Sequence, residues 1–246
     1  MLTIDKVKKA ELLLKDVVRK TDLIYATALS KNADIYLKSE NLQKTGSFKV
    51  RGAYAKIAQL SAEQKKRGII ACSAGNHAQG VALSAQKSGI ESTIFIPSTA
   101  PISKIEATKS YGAHIRLVDG VYDDAYNEAV KFQKETGAEF IHPFDDIEVI
   151  AGQGTIALEI LEQLPEVEAI IVPIGGGGLI SGIAYTIKML KPDCKVYGVQ
   201  AAGAGSMYHS MELHKRTELP SVHTFADGTA VKKVGEKIHL HCVKNT

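Results

Sequence analysis

Short apolar runs and longer amphipathic segments alternate along most of this chain. The runs at residues 69–72, 93–96, 114–118, 139–142, 169–172 and 195–199 are rich in β-branched residues and bounded by turn formers, so each predicts a strand. Between them, residues 78–88, 103–111, 123–136, 155–164 and 179–190 carry the helical period. Gly89, Gly112 and Gly137 follow three of these segments as expected C-caps, and Pro101 stands just before the second as a start signal. Near the N-terminus, Ile4, Val7, Ala10, Leu14 and Val17 share one face beneath the basic residues from Lys6 to Lys20, which predicts an amphipathic helix with a solvated basic side. Alternating strands and helices imply parallel sheets covered by helices. No repeat or low-complexity stretch interrupts the pattern, and composition marks no domain boundary.

The 246 residues, 45% hydrophobic and 23% charged, suit a globular chain with a sizeable core, in one large domain or two small ones. A net charge of +3 from 30 basic and 27 acidic residues is too balanced to argue for nucleic acid or a membrane surface. No apolar run reaches membrane-spanning length, and the N-terminus lacks a signal-peptide core. The cysteines, Cys72, Cys194 and Cys242, are scattered and odd in number, so a reducing, cytoplasmic setting is expected. His209 and His214, or His239, His241 and Cys242, fit no standard zinc spacing, and no metal site is expected.

Three loops carry candidate chemistry. Gly175-Gly176-Gly177-Gly178-Leu179 joins a predicted strand to a predicted helix. Without Cβ atoms its N–H groups can converge on an anion, and a helix N-terminus adds positive potential. A phosphate is the natural guest. The alternative is a close-packed strand–helix turn, for which four consecutive glycines are more than expected. No Gly-Lys-Ser/Thr follows, and Ile180 and Ser181 stand where a dinucleotide motif would place its third glycine. Ser73-Ala74-Gly75-Asn76-His77 is a second small-residue loop before a helix, read either as a nest for a carboxylate or as a helix cap by Asn76 or Ser73. Thr45-Gly46-Ser47-Phe48-Lys49 puts a lysine beside an aromatic ring. Such a lysine is either solvated surface or, if desolvated, an amine able to form a Schiff base. Together the loops offer an amine, an amide and two anion cradles, the parts that pyridoxal 5′-phosphate needs.

Thr45–Gly52, Ser73–Gly80, Val149–Thr155 and Gly175–Leu179 together resemble the serine/threonine dehydratases, fold-type II (tryptophan-synthase-β-like) pyridoxal phosphate enzymes. The resemblance runs in register to about Val234 and is nearest to the threonine ammonia-lyases. Residues 200–205 and 225–232 lean toward the form used in isoleucine synthesis. The resemblance implies an α/β fold with two parallel-sheet domains around a cleft: a small domain at 68–145, and a large one from 1–67 with 146–246. It implies Lys49 as the Schiff-base lysine and Cα base, with Phe48 beside the cofactor. Asn76 would bond the ring oxygen, and Gly175, Gly176, Gly177, Gly178 and Leu179 would bind the phosphate. Ser73, Ala74, Gly75, Asn76 and His77 would bind the substrate carboxylate.

The implied reaction turns L-threonine into 2-oxobutanoate and ammonia, and L-serine into pyruvate. The implied partners are a small amino acid and, for the full-length family, further copies of the same chain. Serine racemization, or another β-elimination, is the alternative activity. Ala74 stands where related racemases carry a serine acid/base, which favours dehydration, and Gln200 and Ser206 stand where they carry acidic metal ligands. The family continues beyond this chain with the residue that meets the pyridine nitrogen. The resemblance therefore also implies a truncated large domain and leaves a non-catalytic fragment as an expectation.

Overall fold

The computed structural model describes residues 1–238. Helix α1 (Ile4–Leu14) is started by Thr3, whose hydroxyl accepts from Lys6 N–H, and buries Val7, Ala10 and Leu14. It stops short of the basic stretch's end, although Val17 is still buried. An antiparallel pair follows, β1 (Leu23–Tyr25) and β2 (Tyr36–Lys38). Then come α2 (Lys49–Ile57), α3 (Ala62–Arg67), β3 (Ile69–Cys72), α4 (Asn76–Ser88), β4 (Ser92–Pro97), α5 (Ile102–Lys109), β5 (His114–Val118), α6 (Tyr122–Thr136) and β6 (Glu139–Phe140). The last third holds α7 (Ile147–Gln163), β7 (Ala169–Pro173), α8 (Gly178–Leu190), β8 (Lys195–Val199) and α9 (Ser206–Glu212). Gly89, Gly112 and Gly137 all adopt positive φ, as helix-ending glycines do.

Strands β3 to β6 form one parallel sheet in the order β5-β4-β3-β6. Every residue of β3 is buried, because helices cover both faces. Alternate residues enter opposite cores: Ile69 and Ala71 join Ile94 and Ile96 on one side, while Ile70 and Cys72 join Phe95 on the other. The order reverses at β3, which pairs with β4 on one side and β6 on the other. Ligands of such sheets bind beyond the carboxyl ends of the strands at that switch point. Strands β7 and β8 form a second parallel pair, packed with α1, α7 and α8 in a separate core. Its outer face leaves Ile171, Tyr197 and Val199 exposed. Helix α2 lies between the two cores, giving Ala55 to one and Ala53 and Ile57 to the other.

The periodic reading misses β1, β2, α2, α3 and α9 and starts α7 late. Helix α7 begins at Ile147, eight residues before the predicted start at 155. Asp146 starts it by accepting from the N–H groups of Glu148 and Val149 at 2.8 and 3.3 Å. Gly152 and Gly154 interrupt the sequence signal but lie inside the helix. Helix α2 buries Val50, Arg51, Gly52, Ala53, Ala55 and Ile57, and the charged Arg51 among them masks its buried face in the sequence.

Arg51 explains how a charge can sit there. Its guanidinium grips Glu40 with bonds of 2.8 and 2.9 Å and Glu159 with bonds of 2.6 and 3.0 Å. Lys38 pairs with Glu159 at 2.6 Å, so two cations and two carboxylates close one neutral buried cluster. The cluster ties β2 to α2 and α7. Removing one partner of such a pair strands the others, at about 3–5 kcal/mol. Arg51→Met is therefore expected to lower stability by about that amount. A urea midpoint within error of the parent chain would contradict it.

Candidate active site

All three candidate loops open helices, and glycine contacts set the distances between those helices. A Cβ on Gly80 of α4 would lie 3.0 Å from the Val50 nitrogen and 3.1 Å from the Lys49 carbonyl carbon. Helices α2 and α7 touch backbone to backbone, since a Cβ on Gly152 would sit 2.6 Å from the Arg51 oxygen. A Cβ on Gly182 of α8 would sit 2.4 Å from the Ile150 oxygen of α7. The chain α4–α2–α7–α8 thus brings the starts of α4, α2 and α8 into one region at the carboxyl ends of β3, β6 and β7.

Lys49 is the first residue of α2 and is part-buried. Its Nζ donates to the Pro143 carbonyl at 2.8 Å and lies 5.4 Å from the Phe48 ring centroid. Burial pushes the amine down to about 8, so much of it is neutral in mildly alkaline solution. That is the state a Schiff-base amine needs, and it removes the solvated-surface alternative. The Phe48 ring packs partly into the β7–β8 core.

A buried histidine, His77, and a half-buried one, His142, flank this amine. The Nε2–H of His77 donates to the Ile141 carbonyl at 2.7 Å. The Nδ1 of His142 accepts from the N–H groups of Phe144 and Asp145. Burial first, and the Lys49 charge as a further cause, lowers His77 to about 3; burial, with Lys49 again opposing protonation, lowers His142 to about 4. Both rings are neutral in the folded chain at pH 6.5, whereas the unfolded chain takes up protons below that. Folding stability is thus complete above pH 6.5 and is lost on acidification toward pH 4. Each histidine contributes a slope of about 1.4 kcal/mol per pH unit. Urea midpoints should fall between pH 6.5 and 5, above the range where ordinary carboxylates titrate; a flat profile would contradict this.

The loop after β3 holds Ser73, Ala74 and Gly75, with Asn76 and His77 opening α4. No side chain caps this helix; the residue at the cap position is Gly75, and Ser73 Oγ accepts from Gly75 N–H at 3.2 Å. The cap reading of Asn76 or Ser73 therefore does not hold. The Asn76 side chain is exposed, whereas the His77 ring is committed to Ile141, so only the His77 backbone faces the loop. Among the described residues, no acceptor meets the N–H groups of Ala74, Asn76, His77 or Ala78.

The four-glycine loop corrects the sequence argument. Its glycines are required by packing. A Cβ on Gly176 would lie 2.3 Å from the Phe144 ring, one on Gly177 2.5 Å from the Ile238 side chain, and one on Gly178 2.9 Å from the Phe144 oxygen. Gly177 also has φ +98°, a conformation that disfavours side chains. The close-packed turn is real, and the glycine count does not itself argue for phosphate. The argument lies in what remains free. Among the described residues, no acceptor meets the N–H groups of Gly175 to Ile180, six donors in and before the first turn of α8. Such an array suits a phosphate.

The Pro143 carbonyl and the His142 ring were not identified as site groups by sequence reasoning: the pattern places His142 at the end of a strand over 139–142, whereas β6 stops at Phe140. Gln200 is committed to the backbone around it, its Nε2 donating to the Ile174 and Ala204 carbonyls. Its Oε1 accepts from Met207 and Tyr208 N–H at 3.0 and 2.9 Å, which starts α9. Ser206 is buried. His209 and His214 are exposed on and after α9, and His239, His241 and Cys242 lie outside the described residues.

A sequence profile of the family described as "Pyridoxal-phosphate dependent enzyme" matches residues 14–245. An L-threonine ammonia-lyase of Thermotoga maritima is 53% identical over 238 residues, 96% of this chain and 59% of that protein. The chain thus spans about three-fifths of that relative's length. Among solved structures, the processed threonine deaminase isoform 2 of Solanum lycopersicum superposes with TM-score 0.94 at 40% identity, covering 97% of this chain and 67% of that one. A maize serine racemase superposes with TM-score 0.96 at 38% identity, covering 100% of this chain and 75% of that one.

Proposed function

The chain belongs to the family of pyridoxal-phosphate dependent enzymes, and from that premise we propose that it is a carbon–nitrogen lyase of the threonine ammonia-lyase kind. Its substrates would be L-threonine, giving 2-oxobutanoate and ammonia, and L-serine, giving pyruvate and ammonia. The carrying observation is a partly neutral lysine between two helix starts whose N–H groups are free. The residues present fit the cofactor. Lys49 brings an amine to the meeting point of these loops, and the Gly175–Ile180 donors match a phosphate. Asn76 is exposed beside them, able to bond the ring oxygen.

When bound, the cofactor supplies an electron-withdrawing ring that stabilises charge left at Cα. The chain's own groups do the rest. Lys49 would hold the cofactor's aldehyde carbon and, when released, take the Cα proton on Nζ; an amine near 8 can both accept and return a proton near neutral pH. The free N–H groups of Asn76, His77 and Ala78 would bind the substrate carboxylate at the positive end of α4. Ala74 offers no proton-bearing side chain in that loop, which supports elimination over racemization. We further propose that the two sheets belong to two domains, 68–145 and 1–67 with 146–246, whose closure excludes water from the cleft. The likeness of residues 200–205 and 225–232 to the biosynthetic form supports a place in isoleucine formation.

The test is a steady-state keto-acid assay on the purified chain with added pyridoxal 5′-phosphate, using L-threonine and L-serine. Turnover of either supports the lyase, and D-serine formed from L-serine would favour the racemase. A borohydride-trapped adduct without turnover would make the chain a cofactor-binding fragment.

A further inference from the structure

The turn after β6 is where the lysine, the glycine loop and the last described segment meet. Pro143 receives the Lys49 Nζ bond at 2.8 Å through its carbonyl. The Phe144 ring and backbone fill the space that Cβ atoms on Gly176 and Gly178 would need. Asp145 accepts from the N–H groups of Glu236 and Lys237, each at 3.0 Å. These three positions lie outside regular secondary structure, so no ladder of backbone bonds shapes them.

His142 supplies the missing restraint. Its Nδ1 accepts from Asp145 N–H at 2.8 Å and from Phe144 N–H at 3.3 Å, drawing both residues back over its ring. The His142 and Phe144 rings meet edge to face, with centroids 4.7 Å apart. A nitrogen that accepts two N–H bonds carries no proton, so the ring's own proton is on Nε2. The charged groups around the ring are Asp145, Lys49, Asp146 and Lys237. Burial and the two lysines keep the ring neutral despite the carboxylates.

We infer that His142 is a positioning residue: its Nδ1 folds the turn that carries the Pro143 carbonyl to Lys49 and the Phe144 ring to the glycine loop. The inference rests on reading Lys49 as the cofactor-bearing amine. His142 itself need not touch the reacting atoms; it acts by holding the amine's acceptor and the wall that keeps water from it.

Two variants separate the acceptor from the bulk. His142→Asn places Oδ1 where Nδ1 stood, and His142→Leu keeps volume without an acceptor. The readout is the pH profile of reductive methylation at Lys49 in the cofactor-free chain, followed by peptide mass spectrometry. The parent profile should be half-maximal at about pH 8. In His142→Leu the loosened turn admits water, and the midpoint should rise by about one unit, cutting modification at pH 8 about fivefold. His142→Asn should return the profile to within about twofold of the parent, a rescue that general destabilisation would not produce. A His142→Leu profile lying on the parent's overturns the inference.

Should His142→Leu fail to fold, the parent chain still decides. Histidine ¹⁵N spectra should show His142 protonated only at Nε2 and not titrating above about pH 5. An Nδ1–H tautomer or an ordinary titration overturns the inference. If borohydride traps no cofactor on Lys49 of the parent, the functional reading fails, while both cofactor-free readouts still test His142.

Discussion

Lys49→Ala is expected to leave a folded chain that forms no borohydride-trapped adduct with pyridoxal 5′-phosphate. Keto-acid formation from threonine should fall on the order of a thousandfold or more, because in the proposed reaction one amine would serve as both covalent anchor and Cα base. The fold should survive. The Lys49 side chain is part-buried and, among the described residues, bonds only the Pro143 carbonyl, and burial already works against its charged form. The same cause fixes the pH dependence in the parent: an amine at about 8 is half-deprotonated near pH 8, whereas an ordinary lysine reaches that point near 10.5. An adduct on another lysine of the alanine variant, or retained turnover, would remove the central assignment. Peptide mapping after reduction settles which residue carries the label.

The second large effect is expected at Gly182, far from any reacting group. Glycine to alanine inside a helix ordinarily stabilises by about 1 kcal/mol. Here the sign should reverse. The added Cβ would lie 2.4 Å from the Ile150 oxygen and 2.6 Å from the Gly154 nitrogen, both backbone atoms of α7 that no rotamer change can move. Gly182→Ala should therefore lower the thermal midpoint, and Gly182→Val should cost at least about 3 kcal/mol, near the upper range for overpacking. Any variant that still folds must push α8 away from α7. That displaces the free N–H groups of Gly175 to Ile180 from Lys49, so phosphate affinity should fall along with stability. A stabilised Gly182→Ala would mean that the two helices are not in contact as described.

These effects show how unevenly the site was written into the chain. The lysine, Asn76 and glycine loops were visible because small residues before a helix are unusual and their chemistry is local. The strands at 69–72, 114–118 and 195–199 were legible to the residue because each is a short β-branched run bounded by turn formers, whether wholly buried like β3 or without a buried residue like β5 and β8. Helix α2 was not, because Arg51 and Gly52 lie on its buried side and blur the apolar period. The first eight residues of α7 were missed for a related reason. Gly152 and Gly154 read as helix breakers in one dimension, yet in three they are what lets α7 touch α2 and α8.

The same contrast applies to the four glycines. Sequence reasoning took their number as a sign of phosphate, but the structure assigns three of them to contacts with Phe144 and Ile238. What remains for a ligand is the row of unbonded N–H groups, which exists only because of how α8 starts. From its sequence, the chain determined which groups could do chemistry and that strands would alternate with helices, because residue type and period are local properties. Only the tertiary structure decided that Lys49 is desolvated, that Pro143 and His142 stand beside it, and that three helix starts meet in one region. Those depend on distances between segments a hundred residues apart, set by backbone contacts that no local pattern encodes.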